Sequence, residues 1–240
     1  QNNKKILVVG LGPAGFTLSH YLTNQGFTVV AIDGLKIEPI NSKFSGIDEL
    51  GDRKEFIPIK NISDIEEKLS LRKAYGFGGV AEYGITVRWN KNYLKIIRLI
   101  LERRGDFRIY GSVRFGSAIT YNNAKTLGFA HIALAVGAGK PNIPQMPNIF
   151  MKGVRAASDF LMALQLQTVY RKDVMANLQI RLPMVIIGGG LTSIDAATEC
   201  LAYYPIMVEK FLKFYENADE NFFESIGEED KEIASEFICH

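Results

Sequence analysis

The chain has 240 residues, and its 28 Lys and Arg against 26 Asp and Glu give a net charge of +2. This length allows one domain or two, while so balanced a charge argues against nucleic acid and against an anionic membrane surface as partners. Because no apolar run approaches the roughly 20 residues that cross a bilayer, the composition predicts a soluble, cytoplasmic protein.

The first predicted element is a βαβ unit. Residues 6–9 form a short apolar, β-branched run, which is typical of a strand buried on both faces of a parallel sheet. Apolar residues then recur with helical spacing as far as Asn24, and residues 28–32 predict a second strand that ends on Asp33. A glycine-rich loop, residues 10–15, joins the first strand to the helix.

The glycine loop has the spacing that a dinucleotide pyrophosphate requires. A pyrophosphate is anionic and binds where a helix N-terminus presents unpaired N–H groups and the positive end of its dipole. Gly10 would make the tight turn, Gly12 would let the pyrophosphate touch the backbone, and Gly15 would let the helix pack on the strand. Pro13 and Ala14 complete the loop and are also assigned to the cofactor-binding site.

An acid stands where such a site needs one. Asp33 lies 23 residues after Gly10, at the end of the second predicted strand, where a carboxylate accepts hydrogen bonds from the ribose hydroxyls. Strand, loop, helix and acid occur together, so we interpret the pattern as a dinucleotide site rather than as a purely structural glycine turn.

The middle of the chain is predicted to leave the sheet and return to it. Residues 34–75 are mixed and charged, and a short helix is predicted over 63–71. Helical spacing over 90–104 and an apolar run at 107–110 predict a helix and a third strand. Eight basic residues within 88–114 indicate a solvated helix face, with a partner-docking face as the alternative.

Two further elements complete the predicted first domain. Residues 118–128 are interpreted as a small β meander around an Asn-Asn turn, and residues 131–136 as another buried strand. The proline-rich stretch that follows indicates a domain crossing, which predicts an FAD-binding domain over 1–147 and a second domain over 148–240.

A second strand, glycine loop and helix begin 178 residues after the first set. A helix is predicted over 159–169, a strand over 184–187 and a helix over 192–202. Gly188 and Gly190 occupy the first two glycine positions of the loop between the last two elements.

This second loop departs from the first at its third glycine position, which holds Ser193. The pattern nevertheless predicts a nicotinamide nucleotide site, with Leu191 and Thr192 as further contacts at the N-terminus of the helix that starts near Thr192. Glu209 could be the ribose acid, or it could lie on a solvated helix face, because the apolar residues around it have helical spacing. No Arg cluster chooses between NAD and NADP.

Cysteine and histidine carry no predicted chemistry. The two cysteines, Cys200 and Cys239, form no C-x-x-C pair, which argues against catalysis by a redox disulfide. The three histidines show no metal-ligand spacing, and neither a metal site nor a catalytic side chain is assigned.

With these motifs in this order, the sequence resembles the flavin reductase module shared by the glutamate synthase small subunit and related FAD-dependent pyridine nucleotide oxidoreductases. Residues 10–15 look like the FAD loop of that family, and residues 78–85 with Arg88 resemble its segment along the flavin. Residues 135–141 resemble its strand end before the second domain, and residues 188–196 resemble its nicotinamide loop.

The resemblance implies further cofactor contacts. Gly79 and Arg88 would lie near the flavin, and Ala135 and Gly137, at the family's alanine-threonine-glycine strand end, would bind the cofactor. Val113 resembles a position whose backbone touches the adenine end of FAD, although a valine after a strand is otherwise a core residue.

The resemblance also implies a fold and a function. The fold is α/β, with a Rossmann-like FAD-binding domain and a partial second Rossmann-like NAD(P)-binding domain. The activity is transfer of hydride from NAD(P)H to FAD, with electrons passing to an unidentified acceptor and no side-chain acid or base required. A flavin monooxygenase or amine oxidase, which does not need the second loop, and a non-catalytic nucleotide-binding module are the alternatives.

The last stretch, residues 216–236, contains nine acids and one lysine. It predicts a surface helix pair or an interaction element, where the family would return to the flavin with a buried strand. We therefore expect the 240 residues to be a fragment of a longer polypeptide that holds flavin weakly or substoichiometrically. The acidic stretch is expected to pack on the first domain or on a second copy, which leaves a homodimer open.

Overall fold

The computed structural model describes residues 3–68, 71, 90, 92–166, 169–171, 173 and 180–240. These residues divide into two compact units. The first contains the described residues up to 67 and from 90 to 142, and the second contains residues 68 and 71 and the described residues from 143 to 240.

The first unit is built on a parallel sheet. Its strands are β1 (Lys5–Val9), β2 (Thr28–Ile32), β3 (Phe107–Tyr110) and β4 (His131–Leu134). They lie in the order β3-β2-β1-β4, and each neighbouring pair is parallel. This order is that of one half of a doubly wound dinucleotide-binding sheet, so the predicted α/β, Rossmann-like fold is confirmed. Strand order reverses between β1 and β4, where such sheets open a crevice at their carboxyl ends.

Strand β1 is buried on both faces, as its apolar run predicts. Ile6 and Val8 point into the larger core cluster, which includes Phe16 and Leu94. Leu7 and Val9 point into a smaller cluster on the opposite face of the sheet. The alternation of neighbouring side chains in a strand explains why four consecutive apolar residues feed two cores.

Helices cover the sheet and the chain that leaves it. They are α1 (Pro13–Asn24), α2 (Ser42–Ser45), a 3-10 turn (Ile62–Asp64), α3 (Tyr93–Glu102) and α4 (Tyr121–Thr126). The helix predicted over 63–71 is reduced to that 3-10 turn among the described residues, whereas α1 and α3 lie where they were predicted.

The β meander predicted over 118–128 is wrong, because most of it is helix α4. The Thr120 side chain accepts the Asn123 N–H at 3.2 Å, and the Asn123 side chain accepts the Thr120 N–H at 3.1 Å. This reciprocal capping box starts a helix at the Asn-Asn pair that we interpreted as a hairpin turn.

Basic residues of α3 are buried rather than solvated. Lys95 and Arg98 are only 4% and 2% exposed. The Lys95 ammonium donates to the Ile65 carbonyl at 2.6 Å, and Arg98 donates to the Glu38 carbonyl and pairs with Glu102 at 2.9 Å. The predicted solvated face is therefore wrong at these positions, since the cations satisfy backbone carbonyls of a segment with little secondary structure.

The second unit is helical in the described residues. Its helices are α5 (Ala157–Leu166), α6 (Leu191–Tyr215), α7 (Phe222–Ser225) and α8 (Glu228–Cys239). The strand predicted over 184–187 carries no ladder pairing, and Val185 and Ile187 are 83% and 70% exposed. None of the helices described is both long and apolar enough to span a bilayer.

Helix α6 continues well past its predicted end at residue 202. It runs through Pro205 because Tyr203, Met207 and Phe211 recur every fourth residue and are all buried in the core of the unit. The burial of this apolar stripe outweighs the loss of one helical hydrogen bond at the proline.

The acidic C-terminal stretch packs within its own unit. Phe237 of α8 meets Phe211 and Tyr204 of α6 edge to face, with ring centroids 5.6 and 5.7 Å apart. This packing on α6 differs from the predicted packing on the first domain or on a second copy. The reason is that Ile233, Ala234 and Phe237 give α8 an apolar face between its acids.

Candidate nucleotide-binding site

The first glycine loop turns tightly at the carboxyl end of β1. Gly10 has a φ of +98°, which side chains of L residues rarely allow, and its N–H donates to the Ile32 carbonyl at 2.9 Å. A Cβ at Gly10 would overlap the carbonyl oxygen of Ala135. Backbone from two other strand ends thus fixes this turn, and only glycine fits it.

Helix α1 starts against this turn with open donors. A Cβ at Gly15 would overlap the Gly10 carbonyl, so the helix touches the loop directly. Gly12 is the N-cap and supplies no side-chain hydrogen bond, and Pro13 has no N–H to satisfy. The N–H groups of Ala14 and Gly15, in the first turn, have no partner within the helix. An anion can therefore be bound at this N-terminus.

Asp33 lies at the same edge of the sheet and touches the loop. Its Oδ2 accepts the Leu11 N–H at 2.8 Å, and its Oδ1 accepts the Leu35 N–H at 2.9 Å. Each carboxylate oxygen retains a second lone pair, so both can still accept a ribose hydroxyl. The sequence pattern predicts the acid at this strand end, but nothing in it indicates the bond to Leu11, which is a contact across 22 residues.

A rim extends from Asp33 along the ends of β2 and β3. The Val113 N–H donates to the Asp33 carbonyl at 2.9 Å, and the Ser112 N–H donates to the Leu35 carbonyl at 2.8 Å. The Val113 side chain packs on the smaller core cluster. The Val113 N–H is thus already bonded within the fold and is not available to a nucleotide.

Two of the other predicted flavin contacts, Ala135 and Gly137, lie just after β4, and the other two lie outside the described residues. The Ala135 N–H donates to the Val9 carbonyl at 2.7 Å, which extends the β1–β4 pairing and holds the Ala135 carbonyl over Gly10. Gly137 has a φ of +77° and turns the chain after β4. Gly79 and Arg88 lie outside the described residues.

The second glycine loop has a helix terminus but little surrounding structure. Gly188 has a φ of +134°, and a Cβ there would lie 2.5 Å from the Ser193 Oγ. Gly190 is the N-cap of α6 without a side-chain hydrogen bond, and a Cβ at Gly190 would meet nothing within 4 Å. Leu191 and Thr192 open the helix and are exposed. Their N–H groups are available to an anion.

Glu209 does not belong to this second loop. It lies inside α6, where Lys213 donates to its Oε1 at 3.3 Å one turn later. At 1.5 Å per residue, Glu209 is about 27 Å along the helix axis from Leu191. The helix-face interpretation therefore holds, and a ribose at the helix N-terminus would not reach this carboxylate.

The two cysteines are separate free thiols. Burial, followed by the charge of Glu199, raises the pKa of Cys200 to about 11, and its Sγ donates to the Met184 Sδ at 3.0 Å. The Cys200 thiol is therefore protonated at neutral pH. Within the described ranges, no group of three or more His, Cys, Asp or Glu side chains is placed to hold a metal ion.

The fold of the first unit and its glycine loop define a Rossmann-like nucleotide-binding protein. The family model of the pyridine nucleotide-disulphide oxidoreductases matches residues 4–222, and the chain belongs to that family. It is also similar to the uncharacterized protein RP006 of Rickettsia prowazekii (strain Madrid E), with 50% identity over 238 residues. The alignment covers 99% of this chain and 31% of that relative, so the chain spans about a third of the relative's length.

Proposed function

We propose that this chain is the nucleotide-binding part of a flavoprotein oxidoreductase, with FAD at the first glycine loop and NAD(P)H at the second. The observation that carries the proposal is the hydrogen bond from the Leu11 N–H to Asp33, because it joins a ribose acceptor to a pyrophosphate loop at one sheet edge. Membership of the pyridine nucleotide-disulphide oxidoreductases supports the pairing of a flavin with a pyridine nucleotide.

The first loop fits FAD through groups that are open in the fold. The N–H groups of Ala14 and Gly15 would bind the pyrophosphate, since Gly12 brings the backbone close and Pro13 offers no competing donor. Asp33 would accept the hydroxyls of the adenosine ribose through lone pairs that Leu11 and Leu35 leave free. When bound, FAD supplies the hydride-accepting chemistry, and the chain supplies binding and orientation.

The second loop would bind the nicotinamide nucleotide at the N-terminus of α6. The first-turn N–H groups of Leu191 and Thr192 and the helix dipole attract a pyrophosphate there, and Gly190 leaves the approach open. Electrons would then pass from the flavin to an acceptor that is not identified. Because Glu209 is too far along α6 to contact the ribose, Glu209 does not discriminate NAD from NADP at this loop.

Visible absorbance and anaerobic reduction of the complete polypeptide test the proposal. Bound flavin that bleaches with NADH or NADPH supports it. Bound flavin that neither nucleotide bleaches would favour a flavin monooxygenase or amine oxidase, and a protein that takes up no added FAD would favour a non-catalytic nucleotide-binding module. A Gly12→Val variant should lose flavin uptake, since its side chain would stand where the pyrophosphate meets the backbone.

A further inference from the structure

We infer that Arg114 recognises the adenine ring at the adenosine end of the first glycine loop, by laying its guanidinium on the face of the ring. This inference rests on the proposed nucleotide site. The Arg114 Nε lies 3.8 Å from the point where a Cβ on Gly34 would stand. Gly34 directly follows Asp33, so the Arg114 side chain crosses the chain next to the ribose acid.

The backbone beneath Arg114 is held on both sides. The Arg114 carbonyl accepts the Ala118 N–H at 2.9 Å and also the N–H groups of Ser117 and Ile119 at 3.4 Å. Just before it, Val113 is bonded to the Asp33 carbonyl. The root of the side chain is therefore fixed relative to Asp33, which lowers the ordering entropy that a ligand contact would cost.

The Arg114 guanidinium itself is open. The side chain is exposed, and it has no hydrogen-bond or ion-pair partner in the part of the chain that the structure describes. Arg53, Arg98 and Arg103 of the same unit, in contrast, donate to backbone carbonyls. Arg114 can thus engage a ligand without giving up a contact within the fold.

The local charges favour an aromatic ring over an additional phosphate. Asp33 directly precedes Gly34, and its carboxylate would repel a phosphate on the ribose 2′ position while accepting hydrogen bonds from a free diol. A planar guanidinium stacks on an aromatic face, and adenine is the ring at this end of FAD. Gly34 has no side chain that would fill the space beside the guanidinium.

Calorimetric titration of the complete polypeptide with ADP tests this assignment. Arg114→Ala should raise the dissociation constant for ADP about five- to tenfold, and Arg114→Gln should do the same, while Arg114→Lys should lose less because it keeps a cation. The matched control is Lys36→Ala, which removes an equal charge two residues after Gly34 from a side chain paired with Glu38. This control should bind ADP within about twofold of the parent.

Two further ligands separate stacking from simple charge attraction. Ribose 5-phosphate, which has no adenine, should bind equally to the parent and to Arg114→Ala. For ADP phosphorylated at the ribose 2′ position, Arg114→Ala should reduce the affinity by no more than it does for ADP. A larger loss would assign Arg114 to the phosphate and overturn the inference. If the parent binds ADP and Arg114→Ala binds it as tightly, only this inference fails. If the parent binds neither ADP nor FAD, the proposed function fails with it.

Discussion

The two glycine loops share a sequence pattern but differ in what surrounds them. Gly10 is enclosed by the Ile32 and Ala135 carbonyls, and Asp33 bonds to the next residue of the loop. Gly188 follows a segment without regular secondary structure, and a Cβ at Gly188 would be crowded by the Ser193 side chain alone. Backbone at the ends of β2 and β4 and the Asp33 side chain therefore fix the first loop, whereas the second is fixed mainly by its own helix terminus.

This difference shows what a glycine loop requires from its sheet. The open N–H groups of a helix N-terminus are present in both loops, so both can attract an anion. Among the described residues, only the first loop has an acid and a rim held in place by neighbouring strands. We therefore expect substitutions in the first loop to affect folding and flavin together, and those in the second to affect the nicotinamide nucleotide alone.

The largest expected effect is that of Gly10→Ala. A positive φ and an overlap with the backbone oxygen of Ala135 cannot be relieved by a side-chain rotation, so the first unit should lose about 3 kcal/mol or more of stability. Flavin uptake should be lost as well. Gly189→Ala is the matched control, because a Cβ there meets nothing within 4 Å. Urea unfolding followed by circular dichroism measures both, and equal stability of the two variants would contradict the difference between the loops.

Asp33→Asn should have the next largest effect. An amide keeps one acceptor oxygen and turns an NH₂ toward Leu11 or Leu35, which removes charge-assisted hydrogen bonds of about 1.5–3 kcal/mol. FAD affinity, measured by fluorescence titration, should fall about ten- to a hundredfold. Glu209→Gln in α6 should change neither FAD affinity nor the NAD(P)H requirement, and a raised requirement would place Glu209 at the second site after all.

Gly188→Ala should act on the second site with a smaller effect. The obstacle is the Ser193 Oγ, a side-chain atom that can rotate away, so the remaining cost is the positive φ, about 1–2 kcal/mol. The NAD(P)H concentration for half-maximal flavin reduction should rise about three- to tenfold, with flavin content unchanged. Adding Ser193→Ala should restore part of the loss. Equal loss of flavin would instead indicate that both loops are one folding unit.

The smallest expected effect is a loss of stability of α8 at low pH. Burial raises the pKa of Glu236, but the hydrogen bonds that its carboxylate accepts from Arg181, the Leu182 N–H and Tyr204 lower it by more. The pKa of Glu236 therefore lies below the usual 4.5. The folded pKa is thus lower than the unfolded one, and the stabilisation is full above about pH 4.5 and lost as the pH falls through the folded pKa. Hydrogen exchange of the α8 amides should accelerate over that range, and Glu236→Gln should flatten the dependence. An unchanged pH profile in this variant would refute the role of Glu236.

The sequence predicted the βαβ unit of the first unit well because its strand, glycine loop and acid depend on residues that are close along the chain. The run from Ile6 to Val9, the glycine spacing and Asp33 each follow from strand or loop chemistry within one βαβ unit. The bond between Leu11 and Asp33 joins residues that are distant along the chain, and no periodicity encodes it.

Other features were mispredicted because two local signals competed. Asn122 and Asn123 fit a hairpin turn and a helix start equally well, and the hydroxyl of Thr120 decides for the helix. A proline usually ends a helix, but α6 continues past Pro205 because the apolar stripe on both sides of it is buried. The charge of Arg98 predicts exposure, and only the fold reveals the carbonyl and carboxylate that it satisfies.

Amide chemical shifts of the nitrogen-labelled chain during an FAD titration test whether FAD binds at the first glycine loop. FAD should first shift the amides around that loop, Leu11, Ala14, Gly15 and Leu35, because their N–H groups either face the pyrophosphate or share the Asp33 carboxylate. The amides of Gly190 and Leu191 should stay unchanged until NAD(P)H is added. Shifts that begin at the second loop with FAD alone, or no shift at the first loop at saturating FAD, would contradict the assignment.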